Sequence, residues 1–243
     1  MEFSNSIKKY VRSLHLRKHR QKYDKFIAEG PKVCKEFLIC KAYSIEYIFA
    51  LPEWIDSNKK ILGPYSEVIY PVKGKELDQI SLLKTPNQVL VVLSTQQQLK
   101  GESQWSLFLD RIRDPGNMGT MIRIADWYGI TSVMATPDSV DFYNPKVVQG
   151  AMGSHNRVAL SSFTKESLTT AARPIYGLIL GGDNIRDMDS ASSGIIAIGN
   201  ESQGLDPEII SRLDYRCTIP SRGGAESLNA AIACGIACER LIS

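Results

Sequence analysis

Ile196-Ala197-Ile198-Gly199-Asn200-Glu201-Ser202-Gln203-Gly204-Leu205 is the stretch that decides the fold. Four consecutive apolar residues from Ile195 are short enough for a strand, and their lack of alternation suits a strand buried on both faces, as in a parallel sheet. The run stops at glycine, passes a carboxylate and reaches a second glycine. Gly199 and Gly204 allow a sharp turn and a close approach of backbone to a ligand. From the residues alone, the loop is equally a tight connection with a surface glutamate.

The same alternation extends outward. Residues 106–109, 132–135, 176–180 and 217–219 read as further strands. Residues 118–128, 207–213 and 227–242 read as helices, the second behind an Asp206 N-cap. Strand–helix alternation over this length predicts an α/β domain built on a parallel sheet, with helices on both faces. Ligands of such sheets sit beyond the C-terminal strand ends. Two more loops fall at strand ends. Asp110-Arg111-Ile112-Arg113-Asp114-Pro115-Gly116-Asn117-Met118-Gly119 is a turn sequence in which Asn117 is placed to cap the next helix, with Arg123 on that helix. An ordinary turn followed by a surface arginine fits equally well. Ile219-Pro220-Ser221-Arg222-Gly223-Gly224-Ala225-Glu226-Ser227-Leu228-Asn229 leads through two glycines into the closing helix, with Ser227 and Asn229 at its start. Plain capping accounts for these two as well. Neither G-x-G-x-x-G nor a P-loop is present.

Upstream, a helical patch at 31–42 and strand-like runs at 45–51 and 89–93 predict a small α/β domain over residues 1–94. Residues 95–104 are polar and aperiodic and read as a linker, leaving 105–243 as the second domain. The net charge of +3 is uneven. Residues 1–25 carry Lys8, Lys9, Arg12, Arg17, Lys18, Arg20, Lys22 and Lys25 against Glu2 and Asp24, a balance of +6. A solvated surface and a polyanion-binding arm both fit. Interleaved Tyr10, His15, His19 and Tyr23 favour RNA, because bases stack on aromatic faces.

The five cysteines are odd in number and form no C-x-x-C pair, so neither a disulfide framework nor a zinc site is expected. Cys234 and Cys238 read as buried small hydrophobes. No apolar run approaches a membrane span, and Met1 to Asn5 lacks a signal-peptide pattern, so a cytoplasmic protein with no membrane partner is expected.

In combination and order, the three loops resemble the SPOUT superfamily, and within it the SpoU/TrmH family of RNA ribose 2′-O-methyltransferases. Asn117, Gly119 and Arg123 match that family's first motif. Gly199, Glu201 and Gly204 match its second, and Ile219, Pro220, Ser227, Leu228 and Asn229 its third. Ala151-Met152-Gly153-Ser154 looks like a further, weaker element, and Ser221 departs from the methionine many members carry. Residues 14–30 look like the RNA-binding extension, related to a ribosomal-protein fold, that many members have. The resemblance implies a SPOUT domain ending in a deep trefoil knot, S-adenosyl-L-methionine as cofactor and no metal. It implies an RNA substrate, with ribosomal RNA favoured over tRNA, and a homodimer in which an arginine of one subunit completes the other's site. The backbone at Gly199, Ile219 and Leu228 would hold the cofactor. Arg123, Asn117, Ser227, Asn229 and Glu201 would serve catalysis, Arg123 by stabilising charge rather than as a base. A tRNA 2′-O-methyltransferase and a non-catalytic RNA-binding protein on the same fold are the alternatives.

Overall fold

In the computed structural model, residues 3–83, 85, 88–97, 104–163 and 173–242 are described. Met1 and Glu2, and residues 98–103 of the predicted linker, lie outside them. The chain forms two compact units, residues 1–99 with 141–156, and residues 100–140 with 157–243.

The first unit opens with helices α1 (Asn5–Ser13) and α2 (Arg17–Tyr23), then strand β1 (Lys25–Glu29), helix α3 (Pro31–Cys40) and strand β2 (Tyr43–Ala50). The short helices α4 (Pro52–Ser57) and α5 (Lys59–Leu62) lead to β3 (Ile69–Pro71), α6 (Gly74–Asp78) and β4 (Val89–Gln97). β4 thus extends past the apolar run 89–93 to Gln97. The sheet order is β1-β4-β2-β3, antiparallel except for β2 with β3. Both its faces are buried, which explains the unbroken apolar run in β4. Val89, Val91 and Leu93 enter one core with Phe26 and Phe37, whereas Leu90 and Val92 enter the other with Ile27 and Phe49.

Residues 141–156 add a helix to this unit from further along the chain, and Val148 joins the core of Phe26 and Phe37. Arg20 is 3% exposed. Its guanidinium pairs with Asp141 at 2.7 Å and donates to the carbonyls of Leu14 and His15. One of the eight cations of residues 1–25 is therefore a structural brace, not a solvent-facing charge. In the Ala151-Met152-Gly153-Ser154 turn, Gly153 has φ +93° and a Cβ there would lie 2.6 Å from Glu36 Cβ, so glycine is required.

His155 is fully buried among Phe26, Phe37 and Tyr143, and its Nε2–H donates to the carbonyl of Phe142 at 2.9 Å. Burial lowers its pKa to about 4, against the opposing pull of the Phe142 bond and Asp141. The unfolded chain therefore binds a proton below pH about 6.5 that the folded chain refuses until about 4. The His155 contribution to stability should be flat above pH about 6.5 and fall by on the order of 3 kcal/mol as pH drops from there to about 4. Denaturant titrations across this window should show a steeper slope in wild type than in His155→Gln, which keeps the contribution of His15, whose pKa burial also lowers. Equal slopes would refute the assignment.

The second unit contains β5 (Trp105–Leu109), α7 (Pro115–Trp127) and β6 (Ser132–Ala135). The chain next passes through α8 (Pro145–Ala151), the helix given to the first unit, and returns with β7 (Ala159–Ser162), β8 (Ile175–Asn184) and β9 (Gly194–Ile198). Helix α9 (Pro207–Ile210), strand β10 (Tyr215–Thr218) and helix α10 (Ala230–Leu241) complete it. All five strand pairings in the order β10-β8-β9-β5-β6-β7 are parallel, as the apolar runs predict. β5 and β9 are buried at every residue and lie side by side at the centre. From β5 the chain moves outward through β6 and β7, then resumes with β8 on the far side of β9. The reversal opens a crevice at the C-terminal ends of β5 and β9.

Several boundaries differ from the sequence expectation. Asp114, not Asn117, caps α7: its Oδ1 accepts from the Asn117 N–H at 2.7 Å. Pro115 at the first helical position starts the helix early and leaves Asn117 inside the first turn. Ser227 precedes the Asn229 N-cap of α10 by two residues instead of opening the helix. α9 keeps its Asp206 cap and ends at Ile210. Cys234 and Cys238 are fully buried on the α10 stripe with Ala230, Ala237 and Leu241, as expected.

Candidate active site

The loops after β5, β9 and β10 meet at this crevice. Their hinge is Gly199. A Cβ there would lie 2.1 Å from the Gly204 carbonyl carbon. That approach lets Asn200 and Gly204 exchange two backbone hydrogen bonds, 3.1 and 2.9 Å, closing the loop on itself. Gly204, at φ +65°, makes the return. The Asn200 side chain rigidifies the turn, with Oδ1 accepting from the N–H groups of Ser202 and Gln203 and Nδ2 donating to the carbonyl of Arg111.

Asp110 and Arg111 clamp this loop from the end of β5. Asp110 is fully buried, and its Oδ2 accepts from Arg111 Nε and from the N–H of Asp206. The same guanidinium donates to Gln203 Oε1 at 3.0 Å and to the carbonyl of Gly204 at 3.2 Å. Sequence reasoning gave these two residues no role. An acidic residue directly after the apolar run Leu107-Phe108-Leu109 was the available signal.

A second set of bonds joins all three loops. Asn229 Oδ1 accepts from the N–H groups of Ala231 and Ile232, so its Nδ2 is the free donor and points to Asn117 Oδ1, 2.8 Å away. That orientation leaves Asn117 Nδ2 to donate, and it meets Glu201 Oε1 at 2.5 Å. The backbone of α10 thus dictates both amide orientations, and the chain must end on an acceptor, which a carboxylate provides.

Beside this chain lies a cavity of about 650 Å³. Gly199, Ile219 and Leu228 line it, together with Glu201, Ser227 and Pro220. Leu180 and Leu228 are 77% and 47% exposed, large apolar surface facing the opening. Cys217 also lines it. Burial, reinforced by Asp183, pushes that thiol up to about 11, so it remains neutral and packs as a small hydrophobe. The size and the apolar walls with a few polar groups suit a small organic ligand.

The structure brings Asn117, Glu201 and Asn229 into one chain and sets Gly199, Ile219, Leu228 and Ser227 around the cavity. Arg123 stands apart. It is exposed on α7 and does not line the cavity, and no partner holds its guanidinium among the described residues.

The profile of the SpoU rRNA Methylase family matches residues 104–239, and that of an MRM3-like substrate binding domain matches residues 5–91. The chain is 28% identical over 235 residues to the 23S rRNA (guanosine(2553)-2'-O)-methyltransferase RlmP of Bacillus subtilis (strain 168), covering 93% of this chain and 91% of that protein. A putative RNA methyltransferase of the TrmH family from Porphyromonas gingivalis superposes with a TM-score of 0.89 at 30% identity, over 100% of this chain and 99% of that one. An AdoMet-bound rRNA methyltransferase from Sinorhizobium meliloti superposes with a TM-score of 0.85 at 26% identity, over 99% and 95% of the two chains.

Proposed function

The chain belongs to the SpoU rRNA methylase family, and from that premise we propose that it transfers a methyl group from S-adenosyl-L-methionine to a ribose 2′-hydroxyl of ribosomal RNA. The carrying observation is the 650 Å³ cavity walled by Gly199, Ile219 and Leu228 and flanked by the Glu201–Asn117–Asn229 chain. Two relatives are named as 23S rRNA guanosine 2′-O-methyltransferases, and one solved neighbour holds AdoMet.

The cavity fits an adenosine-bearing ligand. Apolar walls and closely approaching backbone at Gly199 suit a flat base and its ring-edge hydrogen bonds. S-adenosyl-L-methionine supplies, when bound, a methyl group on a positively charged sulfur. The protein must make the ribose hydroxyl a nucleophile. Arg123 would do this by stabilising the negative charge that develops on the oxygen as its proton passes to solvent water, and by holding a neighbouring phosphate. An arginine keeps its own proton up to pH about 12, so charge stabilisation is the role, not base catalysis. Asn117, Asn229 and Glu201 brace the loops against each other, and Ser227 faces the ribose from the cavity wall.

Among the described residues, Arg123 does not line the cavity of its own chain, which supports a homodimer. Arg123 and Trp127 sit four residues apart and share one face of α7, where Trp127 is 84% exposed. Ile232 and Ile236, 57% and 38% exposed, share a face of α10, which packs on α7. A second copy covering these residues would bury the tryptophan and carry Arg123 to its partner's cavity. The same proposal includes the trefoil knot, the limits 1–94, 95–104 and 105–243 as functional divisions, and a cytoplasmic location. No helix among the described residues is long and apolar enough to cross a membrane.

The test is incubation with labelled S-adenosyl-L-methionine and either protein-free ribosomal RNA or bulk tRNA. Label in an alkali-resistant dinucleotide of ribosomal RNA is expected, because a 2′-O-methyl group blocks strand cleavage. Label in tRNA would replace the substrate and keep the chemistry. Label on a base would overturn the reading, and cofactor binding without transfer to any RNA would favour the non-catalytic alternative.

A further inference from the structure

Helix α1 turns Ile7, Tyr10 and the buried Val11 toward the core around Ile27 and Phe49. That leaves Asn5, Lys8, Lys9 and Arg12 on the outer face, at spacings i, i+3, i+4 and i+7 that align them in one stripe. Gln79, just beyond α6, faces the stripe, and these five residues line a groove of about 280 Å³. Among the described residues, no acidic one lines it. Two other cations of the basic segment are neutralised, Arg20 by Asp141 and Lys25 by Glu46 at 3.5 Å, and Lys22 lies over the Tyr23 ring at 5.1 Å. Lys8 lies over the Phe3 ring at 4.9 Å, and among the described residues no carboxylate pairs with Lys8, Lys9 or Arg12.

This arrangement works against the helix that carries it. α1 has no acidic residue in its first turn, where the dipole favours one, and it places lysines near its positive end. Lys8 with Arg12 and Lys9 with Arg12 are like-charge pairs at i+4 and i+3, each destabilising by about 0.2–0.5 kcal/mol. An unpartnered cationic groove maintained at such a cost fits a polyanionic ligand.

We propose that the α1 groove holds the phosphodiester backbone of the substrate RNA, and that it supplies more of the RNA affinity than the other cations of the first unit. The stripe runs seven residues, about 10 Å along the helix, and is open at the surface, so its charges track a strand instead of converging on one small anion. Lysine ammonium groups act as point charges toward phosphate and read no sequence. The groove therefore sets affinity and register, not the choice of base. This rests on the RNA-methylating reading above.

The experiment uses the full chain with Lys8→Gln, Lys9→Gln and Arg12→Gln combined. The control, Lys32→Gln with Lys59→Gln and Lys60→Gln, removes equal charge from elsewhere on the same unit. RNA affinity is measured from 0.05 to 0.5 M salt, with methyl transfer and thermal unfolding in parallel. Each lost phosphate contact lowers the log–log salt slope by about 0.7 for a single strand, so the groove variant should lose about 2 in slope and on the order of 100-fold in affinity at 0.1 M salt. KM for RNA should rise with kcat unchanged, cofactor affinity should match wild type, and the unfolding temperature should equal or slightly exceed it, because the like-charge pairs are relieved. The control should lose less than a third as much slope. An unchanged slope in the groove variant, or an equal loss in the control, overturns the proposal while leaving the methyltransferase reading intact. Failure of wild type to bind or methylate RNA at any salt would instead defeat that reading and this inference with it.

Discussion

Arg123→Ala should lower single-turnover methyl transfer roughly 10²–10³-fold, the usual consequence of removing one preorganised donor from a developing anion. Affinity for S-adenosyl-L-methionine should stay near wild type, because Arg123 does not line the cavity that Gly199, Ile219 and Leu228 enclose. Stability should also hold, since the side chain is exposed on α7. Arg123→Lys should recover only part of the rate, as an ammonium cannot bridge phosphate and ribose oxygen with a planar fork. If Arg123 acts across a dimer, an inactive mixture should regain activity. Arg123→Ala mixed with Gly199→Ala would form heterodimers in which one site has both an intact cavity and an intact arginine. Near-normal transfer by Arg123→Ala would reduce Arg123 to a surface residue.

Gly199→Ala should weaken cofactor binding by roughly 10–100-fold. Its methyl would lie 2.1 Å from the carbonyl carbon of Gly204 and 2.2 Å from the nitrogen of Leu205, both backbone atoms that cannot rotate aside. The 200–204 turn would have to move as a body, against its paired Asn200–Gly204 bonds and the Arg111 clamp. Overpacking of this kind costs about 1–3 kcal/mol, and displacing the cavity wall turns that cost into roughly 10–100-fold weaker binding. Gly223→Ala, in the loop after β10, is the matched control, with nothing within 4 Å of its added methyl. Calorimetry on both variants decides the matter: comparable affinities would mean the β9 turn does not form the cofactor wall.

The parts of this protein that depend on neighbours in the chain could be read without coordinates. β5 and β9 announced themselves as apolar runs, because a strand buried on both faces needs no polar side. The turn at 199–204 was visible because its two glycines serve the local backbone path. Where a side chain spends its hydrogen bonds is a different question, because its partner is brought near by strand order, which no local period encodes. Asn117 looked like a helix cap, but its amide is used 84 residues away on Glu201 and 112 residues away on Asn229. Arg20 counted as one of eight free cations until Asp141, 121 residues on, was seen to hold it. Likewise α8 lies within the catalytic half of the sequence, yet Val148 is buried in the core of the first unit. A fragment beginning near residue 103 would expose that valine to water, at a cost set by apolar area and not by position along the chain. Composition and periodicity determined which segments are strands, helices and turns. Only the tertiary structure decided which polar groups face one another, since hydrogen bonds and ion pairs act over about 3 Å of space regardless of separation in sequence.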